Sequence, residues 1–272
     1  ARLALTELNV SGFCGTGGAE ALAGGWRLRQ LTALTLRWGK IGPRGGQALA
    51  AGLERGRLRS LDLGGNGLGT AGAAALAACP GLRQVRTLVL FGNDFGPDAA
   101  AALASARLPH LESLELGTNP LGDEGIAALA ASPVLANVTR LLVHGCRIGD
   151  RGAAALARSP HVGKLRWLDL SHNAVGGAGA GELADSPNLG NLRHLDLGDN
   201  VIGPIGAKAL ASSPHLNALT LLDLGSNPIR AEGARALAAA TGLPSLRCLV
   251  VLFAGVDRLA AALRRRFPVV VR

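Results

Sequence analysis

The chain repeats a pair of hydrophobic patterns along its whole length. A short stretch with leucine at every second position, as in Leu61–Leu63, precedes an Ala-rich stretch with apolar residues at helical spacing. A period of two predicts a half-buried β-strand, and a spacing of three to four predicts an α-helix. The pair starts at residues 5, 31, 58, 85, 111, 138, 165, 192, 219 and 246. One helix between successive strands predicts that all the strands are parallel.

The repeat unit is clearest in Leu58–Leu76, Leu192–Leu210 and Leu219–Leu237, and reads L-x-x-L-x-L-x-x-N-x-[IL]-G-x-x-G-A-x-A-L. Asn, as in Asn66, follows most of the strands, and Cys146 replaces it in the sixth copy. An amide has donors and an acceptor, so we expect these side chains to satisfy the turn backbone and bridge neighbouring coils. Phe13 and Gly39 hold the Asn position in the first two copies, which we expect to be less regular.

This unit resembles the leucine-rich repeats of the ribonuclease-inhibitor type, over residues 5 to about 263. The resemblance implies an α/β leucine-rich-repeat solenoid of about ten repeats, a horseshoe with a parallel sheet on the concave face and helices on the convex face. We expect one domain over residues 1–272, with a C-terminal cap at about 257–272 formed by a helix near Asp257–Arg266 and a short strand. No matching cap precedes Leu5, which favours either a piece of a longer protein or a first coil that is buried against something else.

The resemblance implies a binding scaffold without shared catalytic residues. We therefore expect a non-enzymatic protein–protein interaction scaffold that binds another protein on its concave face. The alternatives are a regulatory or sensor module of a larger protein and, less favoured, a GTPase-regulating or nucleic-acid-binding repeat protein. We expect no cofactor and no small-molecule substrate.

Two motifs imitate catalytic or cofactor sites. The stretch Asp169-Leu-Ser-His172 contains the residue types of a nucleophilic triad, but only the Asp recurs in other copies. The stretch Gly67–Gly72 matches G-x-G-x-x-G, but Gly69 and Gly72 occupy repeat positions that are glycine elsewhere. The repeat explains both motifs, so no catalytic, cofactor-binding or metal-binding residue is predicted.

The outward positions of the strands define the candidate site. Asp169, Asp196 and Asp223 should lie on adjacent strands, where each neighbouring pair repels by roughly 3 kcal/mol at an effective dielectric near 20. We expect compensation from water, from a raised pKa, or from Arg166, Arg193 and Arg247. The row is either a structural consensus or an acidic strip for a basic partner.

Bulky outward residues complete the candidate site, because aromatic residues and Arg are common interface anchors. They are Trp38, Phe91, Leu142, Trp167, Leu221 and Phe253. The predicted partner-binding residues of the concave face are Arg37, Trp38, Phe91, Arg140, His144, Trp167, Asp169, His172, His194, Asp196 and Asp223.

Charge and composition narrow the choice of partner. The net charge of +9 comes from the two ends, because residues 60–245 carry 13 basic against 15 acidic side chains. The acidic middle argues against nucleic acid as the partner.

No apolar run reaches the roughly 20 residues of a membrane span. Four cysteines far apart in sequence favour reduced thiols and the cytoplasm. The excess of Arg over Lys, with abundant Ala and Gly, indicates a GC-rich bacterial genome.

Overall fold

The strands and helices alternate as the repeat predicts. The computed structural model describes residues 5–12, 14–251, 263, 266–267 and 269–270. The strands there are β1 Glu7–Asn9, β2 Ala33–Thr35, β3 Ser60–Asp62, β4 Thr87–Val89, β5 Ser113–Glu115, β6 Arg140–Leu142, β7 Trp167–Asp169, β8 His194–Asp196, β9 Leu221–Asp223, β10 Cys248–Val250 and β11 Val269–Val270. The α-helices are α1 Gly15–Gly24, α2 Gly42–Gly52, α3 Gly69–Ala78, α4 Pro97–Ala104, α5 Gly122–Ala130, α6 Asp150–Arg158, α7 Gly177–Ala184, α8 Gly203–Ala211 and α9 Arg230–Ala238.

The described strands form one parallel sheet in chain order, from β1 to β11. The register is the same at each step, so that Leu34 pairs with Leu61 and Leu61 with Leu88. These leucines point inward and pack with the buried faces of the helices into one continuous core. The expected leucine-rich-repeat solenoid, with its strands and helices in separate layers, is confirmed.

Small residues set how closely each helix packs on its neighbours. A Cβ atom added at Gly206 on α8 would lie 3.0 Å from the Ala180 Cβ on α7, and one at Gly233 on α9 would lie 2.9 Å from the Ala207 Cβ on α8. The recurring glycine therefore faces the preceding helix, where a side chain would force the two helices apart. This contact explains the second glycine of the G-x-x-G-A segment. In the glycine motif at residues 67–72, Gly72 holds this position.

An asparagine ladder runs along the turns that follow the strands. The Asn119 side chain accepts hydrogen bonds from the backbone of Asn93 and Phe95, and its amide nitrogen donates to the carbonyls of Leu90 and Leu116. It is fully buried, so these bonds satisfy backbone groups that water cannot reach. The predicted bridging role of the asparagines is confirmed. Cys146 continues the ladder by donating its thiol to the Leu116 carbonyl at 3.2 Å.

A second ladder joins the coils where each helix leads back to the next strand. In each case a hydroxyl or thiol group that immediately precedes a proline is the donor. It donates to a backbone carbonyl near the C-terminal end of the helix in the preceding coil. These bonds are Cys79 to Ala50, Ser132 to Ala104, Ser159 to Ala130, Ser186 to Ala157 and Ser213 to Ala184. This ladder adds bonds between coils that the sequence analysis did not predict.

The C-terminal end continues the sheet by one short strand. β11 pairs in parallel with β10 through Leu249–Val269 and Val250–Val270, as the expected terminal strand requires. The Arg266 guanidinium donates to the backbone carbonyls of Ala238 and Ala240 and so ties this end to α9. Most of the helix predicted near residues 257–266 lies outside the described residues.

Candidate partner-binding surface

Each of the first nine coils presents four positions at the concave face. The first outward position is the first residue of the strand, and the middle outward position is its last residue. The third outward position lies two residues after the strand ends. The turn position is the residue that follows the third position. In the second coil these are Ala33, Thr35, Arg37 and Trp38. The turn position has a positive φ in coil after coil, including Trp38 at 57° and His172 at 54°. The repeat therefore imposes a left-handed backbone there, whichever side chain is present.

The recurring Asp at the middle position has a structural role. The carboxylate of Asp196 accepts a hydrogen bond from the Gly198 backbone N–H at 2.9 Å, and Asp223 accepts one from Gly225 at 2.8 Å. Asp62 and Asp169 make the equivalent bond two residues ahead. The side chain thus satisfies a backbone donor where the strand pairing ends.

Trp38 and Phe91 meet over a floor of glycine. Their ring centroids are 5.2 Å apart and their planes are 62° apart, in an edge-to-face contact. A Cβ atom added at Gly65 would lie 2.1 Å from the Trp38 ring, and one at Gly64 would lie 2.2 Å from the Phe91 ring. Without these glycines the two rings could not lie against the sheet. We call Arg37, Trp38 and Phe91 with this glycine floor the aromatic cluster.

Arg37 connects the aromatic cluster to the sheet. Its Nε lies 2.6 Å from an oxygen of Asp62, and its guanidinium carbon lies 5.5 Å from the centre of the Phe91 ring. Both contacts hold the long side chain in one place beside Trp38. Trp38 is 58% exposed, so the cluster presents a fixed aromatic surface to solvent.

Three side chains stack across β6, β7 and β8. The Arg140 guanidinium carbon lies 4.5 Å from the centre of the Trp167 ring, and the His194 ring stacks on Trp167 at 4.9 Å and 26°. The strand register places these three residues side by side. Trp167 remains 39% exposed, because its neighbours cover its faces and leave an edge accessible.

His144 and Asp169 form the polar centre of the surface. The His144 Nδ1 lies 3.6 Å from the Asp169 carboxylate, which is too far for a hydrogen bond, and this buried nitrogen has no hydrogen-bond partner among the described residues. The Asp169 carboxylate raises the pKa of His144. Burial alone would raise the pKa of Asp169, but His144 and two hydrogen bonds from Ser171 together lower it.

The three-Asp row raises the pKa of its central member. The register pairs Asp169 with Asp196 and Asp196 with Asp223. Burial first, and then the charges of the two flanking carboxylates, raise the pKa of Asp196 to about 6. Neither Arg166 nor Arg193 forms a salt bridge with a described residue. Of the compensations expected from the sequence, the raised pKa applies to Asp196.

The triad-like stretch does not have the geometry of a triad. The Ser171 hydroxyl donates to Asp169 at 2.7 Å, while His172 turns away and lies 3.4 Å from the Asp199 carboxylate. Burial raises the pKa of Cys146 to about 12, so this thiol is not a ready nucleophile. Within the described residues, no group of three His, Cys, Asp or Glu side chains could hold a metal ion.

The structure thus divides the predicted residues into two groups. One contact group consists of Arg37, Trp38 and Phe91. The second group lies further along the sheet and consists of Arg140, His144, Trp167, Asp169, His194 and Asp196. Asp223 continues that second group on β9, and His172 lies at its rim. Leu142 points outward but is only 6% exposed, whereas Phe253 lies outside the described residues. The floor glycines Gly64 and Gly65 were not predicted from the sequence. The signal for them was that each glycine lies 27 residues from a large aromatic residue, Phe91 or Trp38, at the same position of a neighbouring coil.

The repeats identify the family of the chain. Seven segments, together more than half of the chain, match the leucine-rich repeat model: residues 28–50, 58–77, 107–130, 134–157, 164–184, 191–211 and 215–238. The chain therefore belongs to the leucine-rich repeat family. With the fold, this membership defines a protein-interaction module. No helix of the described residues combines the length and apolar character needed to cross a bilayer.

Solved structures are similar to this chain at low sequence identity. The ectodomain of the Arabidopsis receptor kinase HAESA, in complex with an N-terminally extended IDA peptide hormone, is 17% identical, with a TM-score of 0.51 over 92% of this chain and 38% of that chain. An internalin from Listeria monocytogenes is 18% identical, with a TM-score of 0.43 over 95% of this chain and 84% of that chain. No curated protein matches the sequence.

Proposed function

We propose that this chain is a non-enzymatic scaffold that binds another protein on its concave face. The observation that carries the proposal is Trp38, a bulky residue held in a left-handed backbone conformation. That conformation costs a side chain with a Cβ about 1–2 kcal/mol, and the equivalent position is glycine at Gly65, Gly92 and Gly145. The large ring is nevertheless seated on a glycine floor and left mostly exposed.

Preorganisation supports the same proposal. Both aromatic groups of the surface are fixed by contacts within the chain, Trp38 by Phe91 and Trp167 by Arg140 and His194. A side chain that is already immobile loses little entropy when a partner covers it. Asp169 and Asp223, with Asp196 above its pKa, would select partners that carry basic residues at this position.

Finer features of the protein belong to the same proposal. We propose that the repeats are of the ribonuclease-inhibitor type, because almost every coil carries an α-helix of eight to eleven residues on its outer side. We also propose one domain over residues 1–272, a bacterial origin and a cytoplasmic location. All four cysteines are free thiols, which fits a reducing compartment.

Substitution of the two exposed tryptophans tests the proposal. Trp38→Gly removes the ring and leaves a residue that suits the left-handed backbone, and Trp167→Ala removes the second ring. Ile205→Ala is the matched control, because Ile205 is 78% exposed on α8, away from the concave face. Native partners are captured from cells with each variant and quantified by mass spectrometry.

We expect the two tryptophan variants to lose the captured partners by about tenfold or more, as for interface hot spots, and Ile205→Ala to keep them. Circular dichroism establishes that each variant is folded. Undiminished capture by the double variant Trp38→Gly/Trp167→Ala would rule out the concave face as the binding surface.

A further inference from the structure

A groove lies on the outer edge of the solenoid at the shortened fourth coil. The fourth repeat spans 26 residues, from residue 85 to residue 110, whereas the third and fifth repeats span 27 each. Its helix-to-strand connection, Ser105–His110, has no hydroxyl or thiol immediately before a proline. The short 3-10 helices at Pro80–Leu82 and Pro133–Leu135 flank it on either side, and no 3-10 helix lies between them.

The second ladder, formed by the hydroxyl or thiol groups that precede prolines and called here the Ser–Pro ladder, lacks one bond at this coil. The backbone carbonyls of Ala50 and Ala104 are acceptors in this ladder. Ala77 lies 27 residues from each, so its carbonyl is the acceptor expected in the coil between them. No side chain of the described residues donates to the Ala77 carbonyl. The missing residue thus removes a bond between coils and leaves space at the edge.

That space forms two adjoining hollows. One has a volume of about 370 Å³ and is lined by Ala77, Cys79 and Ala102, among others. The other has a volume of about 520 Å³ and is lined by Leu108, Pro109, Pro133 and Val134, among others. Arg83 and Arg107 line both hollows, so the two form one continuous feature, which we call the outer groove.

The chemistry of the outer groove is cationic and aliphatic. Arg83 and Arg107 are exposed, and neither forms a salt bridge with a described residue. A guanidinium group binds a carboxylate through two parallel hydrogen bonds. The walls between the two arginines contribute aliphatic side chains, with no aromatic ring on which a nucleic-acid base could stack.

The size of the outer groove fits a short extended segment. It reaches from the end of α3 to the connection after α5, across three coils. With helices about 10 Å across, this distance is roughly 20 Å, which an extended chain covers in about six residues. A second copy of this chain is a poor occupant, because each copy carries a net charge of +9.

We propose that the outer groove binds an acidic, aliphatic segment of a partner protein. Glu or Asp side chains of that segment contact Arg83 and Arg107, and its aliphatic side chains fill the hollow beside Leu108 and Val134. This site is separate from the concave face and does not depend on it.

The test uses the full chain and two fluorescein-labelled peptides, acetyl-Leu-Glu-Glu-Leu-Ala-Leu and its counterpart with Gln in place of Glu. Fluorescence anisotropy at low salt measures the affinity of each peptide. We expect saturable binding of the Glu peptide and much weaker binding of the Gln peptide. The double variant Arg83→Glu/Arg107→Glu should weaken the binding of the Glu peptide by about tenfold or more, because charge-assisted hydrogen bonds are lost.

Three further variants make the result specific. Arg151→Glu changes an exposed arginine on α6, remote from the outer groove, and should leave affinity within about twofold, since distant surface charges are screened. Ala102→Phe fills one hollow and should weaken binding without a change of charge. Trp38→Gly should bind the peptide normally, which separates this site from the concave face.

Four outcomes would overturn the proposal. The first is equal binding of the Glu and Gln peptides, and the second is an equal loss of binding in Arg151→Glu and the groove variant. The third is inorganic phosphate that binds as tightly as the Glu peptide and displaces it, which would identify a site for small anions. The fourth is a concentration-dependent dimer that Arg83→Glu/Arg107→Glu abolishes in sedimentation, which would identify a second copy as the occupant.

Discussion

Replacement of Asp196 by Asn should stabilise the protein at neutral pH. The Asn side chain has the same shape, and its oxygen can still accept the hydrogen bond from the Gly198 backbone N–H. The substitution removes a charge that is partly buried between Asp169 and Asp223 on the adjacent strands. Burial of the carboxylate is the larger cause and repulsion by Asp169 and Asp223 the smaller one. Together they raise the pKa of Asp196 from 3.8 to about 6.

The magnitude follows from the shift in pKa. About two units correspond to roughly 3 kcal/mol, and partial exposure to solvent reduces this to about 1–2 kcal/mol. The folded state binds the proton more tightly than the unfolded state does. The free energy of unfolding of the wild type therefore falls as the pH rises from about 4 to about 6, and the full penalty persists above that range.

Urea unfolding followed by circular dichroism measures the effect. We expect Asp196→Asn to exceed the wild type by about 1–2 kcal/mol near pH 7.5 and to approach it near pH 4.5, where Asp196 is protonated in the folded wild type. Asp62→Asn is the matched control, because Asp62 has the same position and backbone hydrogen bond but pairs with Arg37. It should destabilise the protein by up to about 1 kcal/mol near pH 7.5. A variant Asp196→Asn no more stable than the wild type near pH 7.5, or equally stabilised at both pH values, would refute the reasoning.

Three further predictions concern the ladders and the polar centre. Asn119→Ala should lower the free energy of unfolding in urea by about 3–5 kcal/mol, because four buried hydrogen bonds are lost. The control Asn137→Ala removes an exposed hydrogen bond and should change it by less than about 1 kcal/mol. Equal losses in the two variants would contradict the stabilising role of the asparagine ladder. Ser159→Ala should lower the free energy of unfolding by about 1–2 kcal/mol, and an unchanged urea midpoint would show that this rung adds nothing. NMR titration should show the pKa of His144 falling in Asp169→Asn, because that carboxylate holds it up, and a constant pKa would exclude this cause.

The sequence predicted the coil architecture because the repeat is local. The alternation of Leu61 and Leu63 defines a strand by itself, and the recurrence of Asn at one position defines a ladder once the coils stack. The Ser–Pro ladder was not predicted, because a serine before a proline is explained equally well as the end of a helix. Only the packing of successive helices shows that Ser159 reaches the carbonyl of Ala130.

The candidate site was predicted in its composition and less well in its contacts. The strand period assigned Phe91, Trp167 and Asp196 to one face, because side chains alternate across a sheet. The period does not say in which direction a side chain leans along the stack. Trp38 leans onto the following coil at Gly65, whereas Phe91 leans back onto the preceding coil at Gly64. The aromatic cluster results from these opposite directions, which depend on the space that each glycine leaves.

The two proposed sites differ in how a solenoid can acquire them. Each coil contacts mainly its neighbours, so a change confined to one coil has local consequences. On the concave face, a site arises when outward side chains change while the strands keep their register, as at Arg140, Trp167 and His194. At the outer groove, the loss of one residue changes the edge while the rungs at Cys79 and Ser132 persist on either side. Across the shortened coil, β4 keeps its regular pairing with β5. Binding at one site therefore need not constrain which residues occupy the other.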